Sequence, residues 1–496
     1  MSTSYQSMAG RALLAIGLMV GFYLLAIAIV GVLFFIPYAE WAYGGRLHLR
    51  LALVCIVSGG IVLWSVVPRA DRFVPPGVPL DSGEQPKLFE VLRDVANATR
   101  QAMPAQVYLV PDVNAWVANR GGIMGFGSRR VLGLGLGLLT TLKVAELRAV
   151  LAHEFGHYHG GDTKLGPWIY KTRAALGRTL VSLAKRNSLL QMLVELPFRL
   201  YGWLFLRVTA AISRRQELNA DELALRTAGS QALVGGLRPS QRGALAFGPY
   251  WSSEVAPVLG AGFYPPLAKG FEHFISAAPV AESLTEPLEQ QFASDPADPY
   301  DTHPPLAERI AAAEGNRERQ QLDETPPALS LLSNVPDLEV RLLAHLGDET
   351  QIRSLQSLSW DEVGRQVYLP RWEKLVGQDS EFLAKETPST LPERARDLAA
   401  WGAKLQEPEG AQIALDQRDR FAASTLGAAL AVVLVQEGWL LHALPGELYL
   451  DRNGEKISPF EVVPRLAAGT LNPEAWQQQC VTAGIAALAL AGDPAN

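Results

Sequence analysis

The sequence predicts a mainly α-helical fold with a small β-sheet, a transmembrane helical hairpin at the start of the chain and an α+β extension at its end. Three observations carry this prediction. Residues 12–39 contain no charged side chain. Apolar residues recur at helical spacing in segments such as 87–99 and 143–156. Residues 105–119 have the pattern of a short strand followed by a turn.

The composition limits the class of protein. Of 496 residues, 48% are hydrophobic and 19% are charged. The charged share is below the ~25% of a typical soluble domain, which indicates that part of the chain avoids water. The net charge of −6 provides no global basic field, so we expect no nucleic-acid partner. The only cysteines are Cys55 and Cys480, and a disulfide framework is therefore excluded.

The first apolar run, residues 12–39, is long enough to cross a bilayer, because about 20 apolar residues span the hydrocarbon core. A cleaved signal peptide is the alternative, but its apolar part is roughly 7–15 residues long, much shorter than this run. A second apolar run, residues 51–67, follows the loop 40–50. Together they predict a helical hairpin, because backbone polar groups in lipid must pair within a helix.

The segment from Lys171 to Arg215 indicates the orientation in the membrane. It holds nine basic residues and one acidic residue, Glu195, among apolar residues. A basic amphipathic segment suits the anionic inner leaflet of a bilayer. We therefore expect an integral protein of the plasma (inner) membrane whose main body is cytoplasmic. The alternative is an ordinary helical hairpin that packs in a core and exposes a basic face.

Two proline-rich segments divide the chain. The first, "PRADRFVPPGVPLDSGEQP" (68–86), follows the hairpin. The second, "DETPPALS" (323–330), precedes a C-terminal part with a different sequence pattern. The predicted parts are a transmembrane hairpin at 1–70, a middle domain at 71–325 with a basic amphipathic hairpin at 171–213, and a C-terminal domain of unknown role at 326–496.

Two features are distinct within the C-terminal part. The uncharged stretch 421–436 predicts a buried helix rather than a membrane span. The stretch "GELYLDRNGEKISP" predicts a β-hairpin, because its Asn453-Gly454 pair suits a tight turn with positive φ angles.

The stretch "AHEFGH" carries the chemistry of the middle domain. Positions i and i+4 of a helix project from one face, so His153 and His157 can direct two imidazole nitrogens at one metal ion. Glu154, next to the first histidine, can reach a water on that ion without binding the metal itself. This HExxH arrangement combines two zinc ligands with a general base.

A catalytic zinc site needs a third protein ligand and one open position. The helix "QELNADELA" offers Glu217, and Asp221 follows one turn later on the same face. Asp221 could orient a ligand histidine, because metal-bound histidines usually donate their other N–H group to an acceptor. "THPPL" places His303 at a rigid turn, where a side chain can be aimed at the site.

Four blocks, "VNAWVAN", "AVLAHEFGHYHGGD", "SRRQELNADELA" and "THPPLAERI", follow the hairpin in this order. This arrangement resembles the membrane zinc metallopeptidases of the HtpX and CAAX-prenyl-protease type, over about residues 70–315. The resemblance implies a zincin-like metalloprotease domain with one Zn²⁺ per chain. It implies that His153, His157 and Glu217 are the ligands, with Glu154 as acid/base and Asp221 as the partner of a ligand histidine. His303 would contact the substrate or the developing oxyanion, and Asn114 would lie near the cleft.

The sequence therefore predicts a membrane-anchored zinc endopeptidase that acts on polypeptide substrates and contacts the lipid bilayer. The Leu–Gly alternation in "RRVLGLGLGLLTTL" predicts a strand that another backbone approaches closely. We expect the substrate to lie extended along a strand edge at 131–137, which would give loose sequence selectivity. That fits quality control of membrane proteins. Two alternatives stay open: a non-catalytic membrane scaffold that retains a zinc site, and a protease specific for certain precursors.

Overall fold

The computed structural model describes residues 2–67, 72–122, 127–158, 166–184, 189–293, 304–315, 325–407 and 413–492. The chain divides into two compact units, one formed by Met1–Ala244 with Glu286–Leu346 and the other by Leu245–Thr285 with Gly347–Asn496. The fold is mainly helical with small sheets, as predicted. The predicted division into three consecutive parts remains a prediction.

The helices have the following bounds: α1 Ser2–Gly44, α2 Leu49–Val66, α3 Pro86–Thr99, α4 Leu136–Thr141, α5 Val144–Gly156, α6 Gly166–Ala184, α7 Leu189–Ala228, α8 Ser230–Tyr250, α9 Ala256–Gly260, α10 Leu267–Ser276, α11 Ala278–Ser283, α12 Thr285–Ala293, α13 Leu306–Glu314, α14 Val335–Leu346, α15 Glu349–Ser354, α16 Trp360–Val363, α17 Leu369–Gln378, α18 Ser380–Leu383, α19 Leu391–Arg394, α20 Leu398–Gly402, α21 Arg418–Gln436, α22 Pro459–Ala467 and α23 Pro473–Thr482. The strands are β1 Val78–Leu80, β2 Gln106–Val110, β3 Ala115–Arg120, β4 Arg129–Gly135, β5 Phe263–Tyr264, β6 Gln356–Ser357, β7 Leu440–Leu444, β8 Glu447–Arg452 and β9 Glu455–Ile457.

The predicted N-terminal hairpin is formed by α1 and α2, which pack with α6 and the first half of α7. Their shared core contains Phe22, Cys55, Leu176 and Phe198, all buried. Inside this bundle the Ser65 and Thr179 hydroxyls lie 2.7 Å apart and share a hydrogen bond. The basic segment is therefore a helical hairpin that packs on α1 and α2 with its inner face. Its outer face exposes apolar side chains, including Met192, Leu196, Leu200 and Trp203.

Three helices in the described part of the chain are long and apolar enough to cross a membrane: Leu13–Gly44, Leu49–Val66 and Arg418–Gln436. Their surroundings differ. In the most apolar 18-residue stretch of each helix, only 28% and 39% of the residues of the first two are buried, against 67% for the third. The third, α21, lies in the core of the second unit, where residues such as Leu426, Leu430 and Leu434 are buried. Protein therefore covers much of its apolar surface, as expected for the predicted buried helix.

The first unit contains a four-stranded sheet in the order β1-β2-β4-β3. β1 runs antiparallel to β2, β2 parallel to β4, and β3 antiparallel to β4. The prediction of an exposed strand edge at 131–137 is wrong, because β4 is hydrogen-bonded on both sides. β3 is the edge strand, and it covers a stretch where the sequence predicted only a turn. The expected close approach to the Leu–Gly strand is confirmed at Gly135, whose N–H donates to the Asn114 carbonyl at 2.8 Å.

The helices α5 and α7 pack closely in the first unit, and they carry the predicted ligand residues. Their closest approach is at Gly156, where an added Cβ would lie 2.8 Å from the Ala220 Cα. α7 is one helix of 40 residues, so its end that carries Glu217 is continuous with the part that packs on α1. The ligand helix is thus held by the apolar bundle as well as by α5.

The second unit surrounds α21 and includes residues 245–285 as well as the C-terminal part. Those residues join it because α10 packs on the C-terminal segment: the Trp360 indole lies against Gly270 and donates to the Pro266 carbonyl at 2.9 Å. The predicted hairpin is confirmed as β8 and β9, and the turn residues Asn453 and Gly454 have φ angles of 58° and 89°.

Candidate metal centre

The end of α5 brings three candidate groups together. His153, Glu154 and His157 place ligand atoms within 4.8 Å of one another. The two imidazole rings have centroids 4.9 Å apart, one turn of helix, as the i, i+4 spacing predicted. His153 is 7% exposed, whereas the His157 side chain is 30% exposed. One imidazole is therefore held inside the fold, and the other opens towards solvent.

Glu217 reaches this group from α7. Its Oε2 lies 3.3 Å from the His153 Nε2, and its Oε1 lies 3.6 Å from the His157 Nε2. Ligand atoms about 2.1 Å from a tetrahedral zinc ion lie about 3.4 Å from one another. Each imidazole nitrogen therefore lies at about that distance from one oxygen of the Glu217 carboxylate, and the donor types suit zinc.

Asp221 contacts the opposite side of the His153 ring. The His153 Nδ1 lies 2.8 Å from the Asp221 Oδ1, so the ring can donate to the aspartate and keep Nε2 towards Glu217. Arg309 on α13 holds the same carboxylate with two hydrogen bonds, Nε to Oδ2 at 2.8 Å and a terminal nitrogen to Oδ1 at 2.7 Å. The orientation of one imidazole is thus fixed through two further residues from two other helices.

Arg309 was not identified from the sequence as part of the site. It lies in the block "THPPLAERI", which also contains His303, the residue predicted to contact the substrate. Its only sequence signal is a basic residue early in a helix that starts at the conspicuous Pro-Pro pair. Which carboxylate it would face depends on the position of α13 relative to α7, and the sequence does not contain that information.

The site shifts the pKa of its acids and bases strongly. Burial by itself lowers the pKa of His153, but its hydrogen bonds to Asp221 and Glu217 outweigh burial and raise the pKa to about 9. Burial raises the pKa of Glu154 to about 7, although His153 and the Val117 N–H oppose this change. For Asp221 burial also acts upward, but the bonds from Arg309 and His153 prevail and the pKa is lowered. Glu154 thus has a pKa near neutrality, suited to taking and returning a proton.

The edge strand β3 is joined to the end of α5 through both backbone groups of Val117. Its N–H donates to the Glu154 carboxylate. Its carbonyl accepts a hydrogen bond of 2.9 Å from the Tyr158 hydroxyl. The Tyr158 ring packs under the Arg130 guanidinium, 4.1 Å from the ring centroid. Tyr158 and Val117 were not predicted as site residues, since they are paired only by the fold.

Two predicted site residues, Asn114 and His303, are not found in this cluster among the residues that the structure describes. Asn114 directly precedes β3, its side chain is exposed, and its carbonyl is bonded to the Gly135 N–H. This location is at the start of the edge strand, but no contact joins the Asn114 side chain to the cluster in the described residues. His303 lies outside the residues that the structure describes.

Comparison with known proteins agrees with this geometry. Residues 82–317 match the model of peptidase family M48. The Protease HtpX homolog of Kineococcus radiotolerans is 27% identical over 255 residues, which are 48% of this chain and 75% of that protein. The comparison with solved structures found no match.

The fold, the His–Glu–His group and these similarities define a membrane-associated metallopeptidase. More narrowly, residues 82–317 are similar to peptidase family M48 and to an HtpX homologue, in agreement with the resemblance seen in the sequence.

Proposed function

We propose that this protein is a zinc-dependent endopeptidase that binds one Zn²⁺ through His153, His157 and Glu217. The observation that carries the proposal is the distance of the Glu217 carboxylate from both imidazoles, 3.3 and 3.6 Å. Three ligands from two helices leave a fourth position open, which is the arrangement of catalytic rather than structural zinc.

The proposed chemistry divides between the ion and the chain. Zinc, when bound, polarises the scissile carbonyl and acidifies a water. Glu154 accepts the proton of the attacking water and passes it to the leaving amine, a role that its pKa of about 7 suits. Asp221 and Arg309 hold the His153 ring so that Nε2 stays directed at the ion.

The proposed substrate lies extended along β3, in place of the strand first expected. β3 has a neighbour on one side only among the described residues, and an edge strand offers backbone groups to an extended peptide. Val117 is tied to Glu154 and Tyr158, so the strand that would receive the substrate is aligned with the general base. Backbone pairing of this kind gives loose sequence selectivity.

Two further roles remain predictions. His303 would stabilise the oxyanion, a contribution typically worth about 10²–10³ in rate. Asn114 would contact the substrate near the first residue of β3.

We also propose that the protein acts in the quality control of membrane proteins, with its catalytic domain on the cytoplasmic side of the plasma membrane. The apolar outer surfaces of α1, α2 and the first half of α7 favour contact with lipid. The basic residues of 171–215 favour the anionic inner leaflet. Loose selectivity fits the removal of varied, misassembled substrates.

The test compares the full-length wild type with Glu154→Gln, both purified in detergent, by zinc content and casein cleavage. The expected result is one zinc per chain in both proteins and a loss of about 10²–10⁴ in rate for the variant. A variant that keeps its zinc and cleaves as fast as the wild type would show that Glu154 is not the base. For Glu217→Ala, loss of both zinc and activity is expected, and full zinc occupancy would mean that the third ligand lies elsewhere.

A further inference from the structure

The second unit contains a cavity of about 1240 Å³ that the zinc chemistry does not use. Most of its lining comes from the turn that follows α8, α17, the start of α21, β8 and the start of α22, and α11, β7 and β9 add single residues. This volume exceeds the ~300–1,000 Å³ of usual small-molecule sites. The cavity is therefore large enough for a ligand of several residues.

Two π-helical turns supply the inner polar groups of the cavity. One, Trp251–Val255, lies between α8 and α9, and the other, Gly364–Tyr368, lies between α16 and α17. The first carries Glu254 and the second Tyr368, and the Tyr368 hydroxyl donates to the Glu254 Oε2 at 2.9 Å. Single π turns inside helices often mark functional sites, because they displace a side chain that a regular helix would point elsewhere.

The other oxygen of Glu254 accepts from the Gly446 N–H at 3.2 Å. Gly446 lies in the turn between β7 and β8 with a φ of 80°, a conformation that suits glycine. Burial raises the pKa of Glu254, and only Tyr368 and Gly446 oppose this rise. Among the described residues no basic side chain lies within ion-pair distance of this carboxylate. Glu254 is thus a fixed inner acceptor to which a ligand could supply a positive charge.

The outer lining carries charges of both signs. Arg371 and Lys374 are exposed on α17, where no described carboxylate pairs with them. Lys456 also lines the cavity, as do the acidic residues Glu447 and Glu461. Such a mixed lining disfavours a polyphosphate, which the carboxylates would repel, and a simple polyamine, which the cations would repel.

Aromatic rings form the apolar wall. Tyr368 and Trp372 stack with centroids 5.8 Å apart, and Trp372 packs on Phe460 at 5.1 Å. Rings of this kind bind apolar side chains with little loss of conformational freedom. The cavity thus combines an inner anion, an apolar wall and outer cations.

We propose that this cavity is a second peptide-binding site, which takes a short peptide with an ammonium group on Glu254, apolar side chains on Trp372 and Phe460, and carboxylates on Arg371 and Lys374. The ammonium group is either a free N-terminus or a lysine side chain. The site does not require cleavage at the zinc centre, so its occupancy is independent of the catalytic function proposed above.

The test uses isothermal titration calorimetry in detergent with the full chain carrying Glu154→Gln, which is expected to slow cleavage of the probes. The first probe is the pentapeptide Ala-Phe-Leu-Glu-Asp with a free N-terminus. The second is the same peptide N-acetylated, and the third is N-acetylated Lys-Phe-Leu-Glu-Asp. The first or the third is expected to bind at least about tenfold more tightly than the second, and the one that does identifies the source of the ammonium group. Equal affinity for all three, or no binding at all, overturns the proposal.

Two added variants locate the binding. Glu254→Gln keeps the shape of the side chain and is expected to remove the preference for a free ammonium group. Arg371→Ala with Lys374→Ala, at two exposed positions, is expected to weaken the first probe by about tenfold and to leave its fully amidated Ala-Phe-Leu-Gln-Asn analogue unchanged. Because the Arg371/Lys374 variant leaves Glu254 intact, it tests the proposal even where Glu254→Gln fails to fold. Unchanged affinity of the acidic probe for the Arg371/Lys374 variant would place peptide binding outside this cavity.

Discussion

Gly156 on α5 lies directly against Ala220 on α7, so that a Cβ on Gly156 would be 2.8 Å from the Ala220 Cα. This contact lies between the residue that precedes His157 and the residue that precedes Asp221. The spacing of the two helices at this point fixes how far the imidazoles lie from the Glu217 carboxylate. The glycine in the motif is thus a packing requirement of the site.

Gly156→Ala is expected to destabilise the protein by about 1–3 kcal/mol, because the added methyl group meets backbone that cannot move aside freely. It is also expected to lower zinc content, since the ligand helices must separate. The measurements are thermal unfolding in detergent and metal analysis. Gly177→Ala in α6 is the matched control, because an added Cβ there meets nothing within 4 Å. A Gly156→Ala protein with normal stability and zinc content would contradict the close packing of α5 and α7.

Arg309→Gln is expected to lower zinc affinity or activity by about 10–100-fold, the usual cost of removing an outer partner of a ligand histidine. The reason is that Asp221 loses both hydrogen bonds from the guanidinium and no longer holds the His153 ring. Zinc affinity is measured by competition with a chelator. Glu308→Gln, an exposed neighbour on the same helix, is the control and is expected to behave as wild type. Equal zinc affinity and activity in the two variants would rule out this role for Arg309.

Tyr158→Phe is expected to reduce kcat/KM for casein about five- to tenfold while zinc content stays constant. The variant loses the hydrogen bond to the Val117 carbonyl, which is worth about 1 kcal/mol. This bond is one of the two that align β3 with the end of α5. The pH profile is expected to keep its shape, since Tyr158 has a pKa of about 12, raised chiefly by burial, and stays protonated. Tyr43→Phe, at an 82% exposed position, is the control. Loss of zinc from Tyr158→Phe would instead indicate a role in metal binding.

The two cysteines are expected to be unreactive in the folded protein. Cys55 and Cys480 are both fully buried, and burial raises the pKa of Cys480 to about 12. The reactive thiolate of Cys480 is therefore scarce at pH 8, and its fraction grows only as the pH approaches that value. Ellman's reagent at pH 8 should detect no thiol in the native protein and two after unfolding in guanidinium. Rapid reaction of one native thiol would contradict its burial.

Much of the candidate site could be predicted from local patterns. The i, i+4 spacing of His153 and His157 needs only a helix to bring the two rings to one face, so their proximity followed from sequence. Glu217 and Asp221 were recognised as a pair with the same spacing, and the structure brings both to His153. Arg309, Tyr158 and Val117 were missed because each acts through a partner from another element.

The edge of the sheet shows the limit of strand prediction. The Leu–Gly pattern of β4 correctly indicated a strand that other backbone approaches closely. It does not say on how many sides the strand is paired, and the expectation of an open edge there was wrong. β4 follows β3 in the chain but lies between β2 and β3 in the sheet, so both of its edges are paired.

The sequence by itself determined the apolar runs at the start of the chain, the helical ligand motif and the chemical types of its donors. These features depend on periodicity and composition, which are properties of short stretches of the chain. Only the tertiary structure decided that Arg309 donates hydrogen bonds to Asp221, that β3 borders the site and that Tyr368 donates to Glu254 in a cavity. Each of these pairs is far apart in the chain, and only the packing of whole helices and strands brings its members to within hydrogen-bond distance.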